Sequence, residues 1–270
     1  MTSHLDNIKN LFFILLISSF IFVINFQKSF AETENILITY STQMKHIEFD
    51  GRWSYFSEWK ESSWNSIGDS VQIRTAHYEN YIYVFVDVLS DSSLDKGSDK
   101  AIICFDSQNN KSRIPDNDDY CFIAVLERET GFVLQGGSPF GSKGNFQIIP
   151  NPEGFLAIGA VSNEHDRYSH VPHPSYEFQI PIDLIDRTSE YGFYLETFDA
   201  NSGMSVTWPN DTPKTSPGKI PSPIFWGELI SIDKSLPEFS LPHFMLTVSI
   251  ISIIIISIKL NNGRLRININ

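Results

Sequence analysis

Cysteine is scarce in this 270-residue chain, which has only Cys104 and Cys121. Nothing in their spacing suggests a metal site. Basic residues are also outnumbered, at 20 Lys and Arg against 32 Asp and Glu, and the net charge is -12. A surface this acidic repels a phosphate backbone, so we expect no nucleic-acid partner.

Catalytic signatures are missing as well. The sequence contains no G-x-S-x-G, no H-E-x-x-H and no P-loop, and no pair of carboxylates is marked out as an acid and a base. A haem-attachment motif is also absent, and between the two apolar ends of the chain the only methionines are Met44 and Met204. We therefore expect a protein that binds something and is not an enzyme.

The middle of the chain lacks a long helical pattern, an internal repeat and a low-complexity segment. It contains instead short apolar or alternating runs separated by turn residues, which are typical of an all-β jelly-roll sandwich. This domain is predicted to span residues 32–235. The predicted strands are residues 71–76, 81–88, 101–105, 120–126, 155–161, 176–180, 192–198 and 224–232.

The N-terminal end predicts a secretory signal peptide over residues 1–31. An apolar run covers residues 11–26, and the small residues Ser29 and Ala31 that follow it resemble a cleavage site. The alternative is an uncleaved N-terminal anchor.

The C-terminal end predicts a linker at residues 236–243, a transmembrane or sorting helix at residues 244–260 and a basic cytoplasmic tail at residues 261–270. The Pro237-Glu238-Phe239 sequence, the apolar helix and the basic tail together resemble the archaeal PEF-CTERM type of sorting signal. Such a tail is cut and replaced by another anchor, whereas a plain single-span anchor stays attached. In both cases we expect the domain on the extracellular face of the cell membrane.

The two cysteines fall in successive predicted strands. In an oxidising exterior, Cys104 and Cys121 form a disulfide if these strands are neighbours and the two residues face each other. The alternative is two buried free thiols, because both residues lie among apolar neighbours.

An ordered set of short motifs resembles family 9 carbohydrate-binding modules and the related DOMON-like domains. The set covers almost all of the predicted domain, in the order in which the family carries its motifs. Its members are Asp50-Gly51 with Glu58-Trp59, residues 78–88, residues 99–106, residues 116–120, residues 136–139, residues 176–181, Trp208 and residues 225–227.

The resemblance implies a jelly-roll sandwich that binds a poly- or oligosaccharide and often holds structural calcium. It also implies a sugar clamped between two tryptophans, but the corresponding stretches, residues 90–100 and 210–223, contain none. Two functions therefore stay open. One is a surface-anchored carbohydrate-binding module linked to polysaccharide catabolism or to envelope glycans. The other is a structural or interaction protein of the cell envelope that keeps the sandwich without binding sugar.

Aromatic residues are the candidate sugar-binding residues, because sugar C–H groups pack on flat rings. We expect Trp53 and Trp208 to be exposed and Tyr168 and Phe140 to contribute from loops. Core packing is the alternative for all the tryptophans, and above all for Trp59 and Trp226.

An acidic segment is the candidate calcium site, because calcium takes six to eight hard oxygens. The candidate ligands are Asp106, Asp116, Asp118 and Asp119. The alternative is a solvated acidic loop, since the spacing is not that of an EF-hand.

Three closely spaced histidines, His165, His170 and His173, lie next to Asp166. Imidazoles at this spacing suit a transition metal. The spacing fits no known motif, so we interpret the segment as a polar loop.

Overall fold

The computed structural model describes residues 35–138, 145–213 and 219–232, together with Ser249, Ser252 and Ile253. The predicted signal peptide, linker and basic tail lie outside the described residues, and so does the predicted C-terminal helix apart from those last three residues. Among the described residues, no helix is long and apolar enough to cross a membrane.

Thirteen strands make up most of the regular secondary structure of the described residues. One short helix, α1 (Ile182–Ile185), and two 3-10 turns (Thr42–His46 and Pro223–Phe225) interrupt them. The strands are β1 (Asn35–Tyr40), β2 (Ser63–Ile67), β3 (Val71–Tyr78), β4 (Tyr81–Val88), β5 (Lys100–Asp106), β6 (Asp119–Val125), β7 (Phe132–Gln135), β8 (Gln147–Ile149), β9 (Leu156–Val161), β10 (Pro174–Pro181), β11 (Glu190–Asp199), β12 (Met204–Trp208) and β13 (Gly227–Ser231).

The strands form two halves that share β1. One half, here called the disulfide sheet, has the order β8-β7-β6-β5-β11-β13, with β12 also paired to β11. The other half, here called the cleft sheet, has the order β3-β4-β10-β9, with β2 also paired to β3. β1 runs parallel to β13 through Asn35–Ile38 and parallel to β3 through Thr39 and Tyr40, so it passes from one half to the other.

The main core lies between the two sheets. Side chains alternate along a strand, so every second residue of each sheet points inward. Phe105 and Phe122 enter from the disulfide sheet, and Val84 and Phe178 enter from the cleft sheet. The rings of Phe122 and Phe155 lie 5.4 Å apart across this core.

The outward positions of both sheets are covered as well. A second apolar cluster, which includes Cys104, Tyr194 and Trp226, lies on the outside of the disulfide sheet. A third cluster, which includes Trp59 and Phe85, lies on the outside of the cleft sheet. The central strands are therefore buried on both faces, which explains the continuous apolar sequence of β4.

The all-β prediction is confirmed, and the architecture is a β-sandwich. The eight predicted strands correspond to β3, β4, β5, β6, β9, β10, β11 and β13. The last of them begins at Gly227 rather than at Ile224, because Pro223–Phe225 forms a 3-10 turn. β1, β2, β7, β8 and β12 were not predicted.

Candidate functional site

The segment between β1 and β2, residues 41–62, packs on the outside of the cleft sheet and is here called the covering segment. A buried glutamate on β10, Glu177, attaches it to the sheet. Glu177 Oε2 accepts hydrogen bonds from the backbone N–H groups of Asp50 (3.0 Å) and Gly51 (2.9 Å), and its Oε1 accepts one from Trp59 Nε1 (3.0 Å). Burial raises the pKa of Glu177 well above its usual range. The Asp-Gly and Glu-Trp motifs therefore meet at Glu177 and attach the covering segment to the sheet.

Glycine is required at position 51 because its backbone is in the left-handed region, with φ +84°, and lies against β9. A Cβ built there would lie 2.8 Å from the backbone nitrogen of Ala160. Gly51 also accepts a hydrogen bond through its carbonyl from Ser175 Oγ at 2.8 Å. The position is structural, since both of its backbone polar groups are used within the fold.

A second carboxylate, Glu58, holds the same segment. Glu58 Oε1 accepts from the backbone N–H of Glu48 at 2.9 Å, and Glu58 Oε2 accepts from that of Ser54 at 2.7 Å. Burial raises the pKa of Glu58 to about 7, although these hydrogen bonds oppose the shift. Two buried carboxylates thus stabilise one segment, both through backbone donors.

The β9–β10 loop, residues 162–173, lies beside Trp53 at the edge of this segment. The Tyr168 ring meets the Trp53 ring edge-on, with the centroids 5.9 Å apart. Arg74 from β3 donates to the Tyr168 hydroxyl at 2.7 Å, and its guanidinium carbon lies 5.5 Å from the Trp53 ring. The contacts fix Tyr168, and hence the loop, against the covering segment.

An open cleft of about 470 Å³ lies between this loop and the covering segment. Phe56 provides its exposed apolar wall, with 72% of the residue accessible to solvent. The loop provides its hydrogen-bonding groups. The lining residues are Trp53, Phe56, Glu164, His165, Asp166, Arg167, Tyr168 and His170.

The structure brings together two of the four aromatic residues predicted to bind sugar, and it places a third away from them. Trp53 and Tyr168 are neighbours at the cleft, but Trp53 is 0% exposed, so the prediction that it presents a ring to solvent is wrong. Trp208 is also buried, at 6% exposed, because it packs on Phe193 at 5.9 Å in the main core, and the prediction of its exposure is wrong too. Phe140 lies outside the described residues.

Core packing, the alternative interpretation, is correct for Trp59 and Trp226, which are both buried. Phe56 at the cleft is exposed and was not predicted as a sugar-binding residue, whereas Trp64 on β2 is exposed but is not among the residues that line the cleft. Phe56 stands in a polar, serine-containing segment with no strand pattern, and this was the available signal for an exposed ring. Its position at a cleft depends on the distant β9–β10 loop, which no local pattern reveals.

The two cysteines form a disulfide, with an S–S distance of 2.05 Å. Cys104 and Cys121 are directly opposite each other in the β5–β6 pair, which is the arrangement that the disulfide alternative required. Both residues are fully buried in the outer cluster of the disulfide sheet.

Three of the four predicted calcium ligands, Asp106, Asp118 and Asp119, have carboxylate oxygens within 4.8 Å of one another. Asp116 lies beside the group, where its Oδ2 accepts from the Asn110 side-chain amide at 3.3 Å. Buried oxygens without a hydrogen-bond partner occur on this group and on residues that follow Asp106 in sequence, at Asp119 Oδ1, Ser107 Oγ and Asn109 Oδ1. An all-oxygen set of this kind fits the ligand preference of calcium.

The electrostatics of this acidic group agree with a cation site. Burial raises the pKa of Asp119 to about 8, and the carboxylates of Asp106, Asp116 and Asp118 add to the shift. Burial and the neighbouring Asp116 raise the pKa of Asp118 to about 6. The neighbouring carboxylates therefore disfavour the charged forms of Asp118 and Asp119, and a bound cation would relieve that repulsion.

No protein-family model and no curated protein matches this chain. Among solved structures, the chain is similar to a family 9 carbohydrate-binding module from Caldicellulosiruptor kristjanssonii in complex with glucose, with 13% identity, a TM-score of 0.48, and coverage of 77% of this chain and 100% of that one. It is similar to a family 9 module from the same organism in complex with cellotriose, with 14% identity, a TM-score of 0.46 and the same coverage. At this level of similarity, a function for this chain has to be supported by its own residues.

Proposed function

We propose that this protein is a non-catalytic carbohydrate-binding module whose ligand, a poly- or oligosaccharide, binds in the cleft beside the β9–β10 loop. The observation that carries this proposal is the composition of the cleft wall. An exposed ring, Phe56, lies opposite the charged and imidazole side chains of Glu164, His165, Arg167 and His170. Saccharides need both kinds of contact, because their C–H faces pack on rings while their hydroxyls take hydrogen bonds.

The sequence motifs also support a carbohydrate ligand, and the apolar ends of the chain support a location at the cell surface. The ordered set of motifs resembles family 9 carbohydrate-binding modules. The apolar segments at both ends fit an exported domain held at the extracellular face of the cell membrane by residues 244–260. In this proposal, the protein captures envelope glycans or polysaccharide destined for degradation.

Calcium is proposed as a structural ion at Asp106, Asp118 and Asp119. An ion there would supply a positive charge to three carboxylates and a partner for the unpaired Asp119 Oδ1. Asp106 and Asp119 belong to the disulfide sheet, Asp118 directly precedes β6, and none of the three lines the cleft. We therefore expect calcium to raise the melting temperature of the chelator-treated protein without contacting the sugar.

The test of sugar binding is a glycan-array screen of the purified full chain, followed by calorimetry with the strongest glycan. Phe56→Ala should weaken binding about tenfold, because it removes a stacking contact of about 1 kcal/mol or more. The matched control is Phe225→Ala, since Phe225 is 46% exposed but adjoins β13 of the disulfide sheet. This control should bind as the wild type does.

Two results would count against the cleft. Equal binding by the wild type and Phe56→Ala would place the ligand elsewhere on the molecule. A folded protein that binds nothing on the array would favour the second candidate function, an interaction protein of the cell envelope. The burial of both Trp53 and Trp208 already favours that alternative over a tryptophan clamp.

A further inference from the structure

Three ionisable side chains meet in a buried position beneath the cleft. Asp87 comes from β4, Asp166 from the β9–β10 loop, and His173 from the end of that loop. Their exposed fractions are 0%, 3% and 1%. His173 Nε2 lies 2.7 Å from Asp87 Oδ1 and 4.0 Å from Asp166 Oδ2.

Two carboxylate oxygens of this group have no hydrogen-bond partner. They are Asp87 Oδ2 and Asp166 Oδ2, and both are inaccessible to solvent. Leaving a buried charged oxygen unpaired costs about 1–3 kcal/mol or more, so the fold is expected to supply a partner. The site has more acceptors than donors.

The loop itself aims Asp166 at the site. Asp166 Oδ1 accepts hydrogen bonds from the backbone N–H groups of Tyr168 at 2.7 Å and Ser169 at 2.9 Å. These bonds hold the carboxylate, and its other oxygen, Oδ2, is the one that approaches His173 Nε2. The orientation is therefore imposed by the backbone and does not depend on a salt bridge.

The imidazole of His173 is oriented from its other side. His173 Nδ1 lies 2.6 Å from the carbonyl oxygen of Val171, which requires a proton on Nδ1. In the neutral ring, this leaves the lone pair of Nε2 directed at the two carboxylates. Histidines that ligate metals are held in the same way, by a hydrogen bond from the nitrogen that does not bind the metal.

A protonated His173 explains only part of the arrangement. Its Nε2–H would donate to Asp87 Oδ1 at 2.7 Å, but without a proton held between the two carboxyl groups, Asp87 Oδ2 and Asp166 Oδ2 would still lack partners. Two carboxylates and one imidazolium would also leave a net negative charge in a buried position. A divalent cation balances both carboxylates and takes a ligand from all three side chains.

We propose that Asp87, Asp166 and His173 bind a divalent transition-metal ion of the Zn²⁺ type. One imidazole nitrogen and two carboxylates fit zinc, which takes three or four nitrogen and oxygen ligands. Calcium is a poorer fit because it needs six to eight oxygens. The site is separate from the acidic group on the disulfide sheet, and it does not rest on sugar binding.

The ion would join three parts of the cleft sheet. It would tie the β9–β10 loop, through Asp166, to β4 at Asp87 and to the start of β10 at His173. That loop carries His165, Arg167 and Tyr168, which line the cleft. Metal binding is therefore expected to order one wall of the cleft.

The test uses the untagged full chain after treatment with a chelator and removal of that chelator. Titration with ZnCl₂, followed by calorimetry, should show one equivalent bound, with a rise in melting temperature. Asp166→Asn should abolish this binding, and it is expected to fold, since the remaining side-chain oxygen can still accept from Tyr168 and Ser169. Addition of Co²⁺ in place of Zn²⁺ should give visible absorption bands in the wild type that are lost in His173→Gln.

Two controls separate this site from others. Asp118→Asn alters the acidic group of the disulfide sheet and should bind Zn²⁺ as the wild type does. The double variant His165→Ala/His170→Ala removes the exposed histidines of the same loop and should also keep the site. The proposal is overturned if the folded wild type binds no Zn²⁺, if Asp166→Asn binds normally, or if either control loses the bound equivalent.

Discussion

The outer faces of the two sheets are covered in different ways. On the disulfide sheet, the cover is apolar: Cys104 and Cys121 are joined covalently, and Trp226 stacks on Tyr194 with the ring centroids 6.2 Å apart. On the cleft sheet, the cover also has a tryptophan, Trp59, which stacks on Phe85 at 5.4 Å. Here, however, the segment is attached by two buried carboxylates.

This difference separates a cover whose contacts do not titrate from a cover that is attached to its sheet through titratable groups. Apolar contacts and a disulfide do not titrate. Buried carboxylates such as Glu58 and Glu177 do, because burial penalises their charged forms. The cleft and the proposed Zn²⁺ site lie on the cleft sheet, whereas the proposed calcium site, where the pKa values of Asp118 and Asp119 are raised, lies at the β5–β6 end of the disulfide sheet.

The largest expected effect is the loss of a covering tryptophan. Trp59→Ala and Trp226→Ala should each lower the free energy of unfolding by about 3–5 kcal/mol, as for other buried aromatic truncations. The loss should be greater for Trp59→Ala, because Trp59 Nε1 donates to the Glu177 carboxylate, whereas Trp226 Nε1 donates to the carbonyl of Pro221. Urea denaturation of both variants measures the difference, and equal losses would mean that the carboxylate attachment contributes nothing.

The next effect concerns the covalent link of the disulfide sheet. The double variant Cys104→Ala/Cys121→Ala should lower the free energy of unfolding by about 3 kcal/mol, the value expected for a loop that joins residues 17 positions apart. The loss should be the same at pH 5 and pH 8, because neither cysteine titrates while bonded. Chemical denaturation at the two pH values checks this, and a loss that changed with pH would show that the disulfide is coupled to titrating groups such as Asp119 on the same strand.

The strands that are buried on both faces were easier to predict from the sequence than the less buried strands β2 and β12. Tyr81–Val88 was predicted with its bounds because an unbroken apolar run on both faces has few alternatives. β2 and β12 were missed because their sequences, SWNSI and MSVTW, hold few buried apolar residues. These strands depend on pairing with β3 and β11, which is information that only the folded sheet contains.

The candidate site was less predictable for a related reason. The acidic group was predicted because Asp116, Asp118 and Asp119 follow one another closely in sequence. The burial of Trp53 was not predicted, because it depends on contacts with Tyr168 and Arg74 from distant segments. His173 was assigned to a polar loop together with His165 and His170, but it packs against Asp87 of β4 instead. Contacts between distant residues decide these cases, and residue type alone does not.

The last prediction is a pH dependence of stability to which the cover of the cleft sheet contributes. Glu58 has a folded-state pKa of about 7, above its ordinary value of 4.5. The folded protein therefore keeps a proton that the unfolded chain releases, and the free energy of unfolding falls as the pH rises between these two values. One such proton contributes at most about 1.4 kcal/mol per pH unit. Glu177, whose pKa is also raised, acts with the same sign.

Thermal denaturation from pH 5 to pH 8 in the presence of a chelator measures this dependence. The melting temperature of the wild type should fall across the range, and that of Glu58→Gln should fall less, because glutamine does not titrate. Glu58→Gln should also be about 1–3 kcal/mol less stable at pH 5, since its amide cannot accept from both Glu48 and Ser54. The cysteine double variant is the control, and its slope should match that of the wild type. If the melting temperature of Glu58→Gln falls with pH as steeply as that of the wild type, the titrating groups lie outside the covering segment, among the carboxylates of the two proposed cation sites.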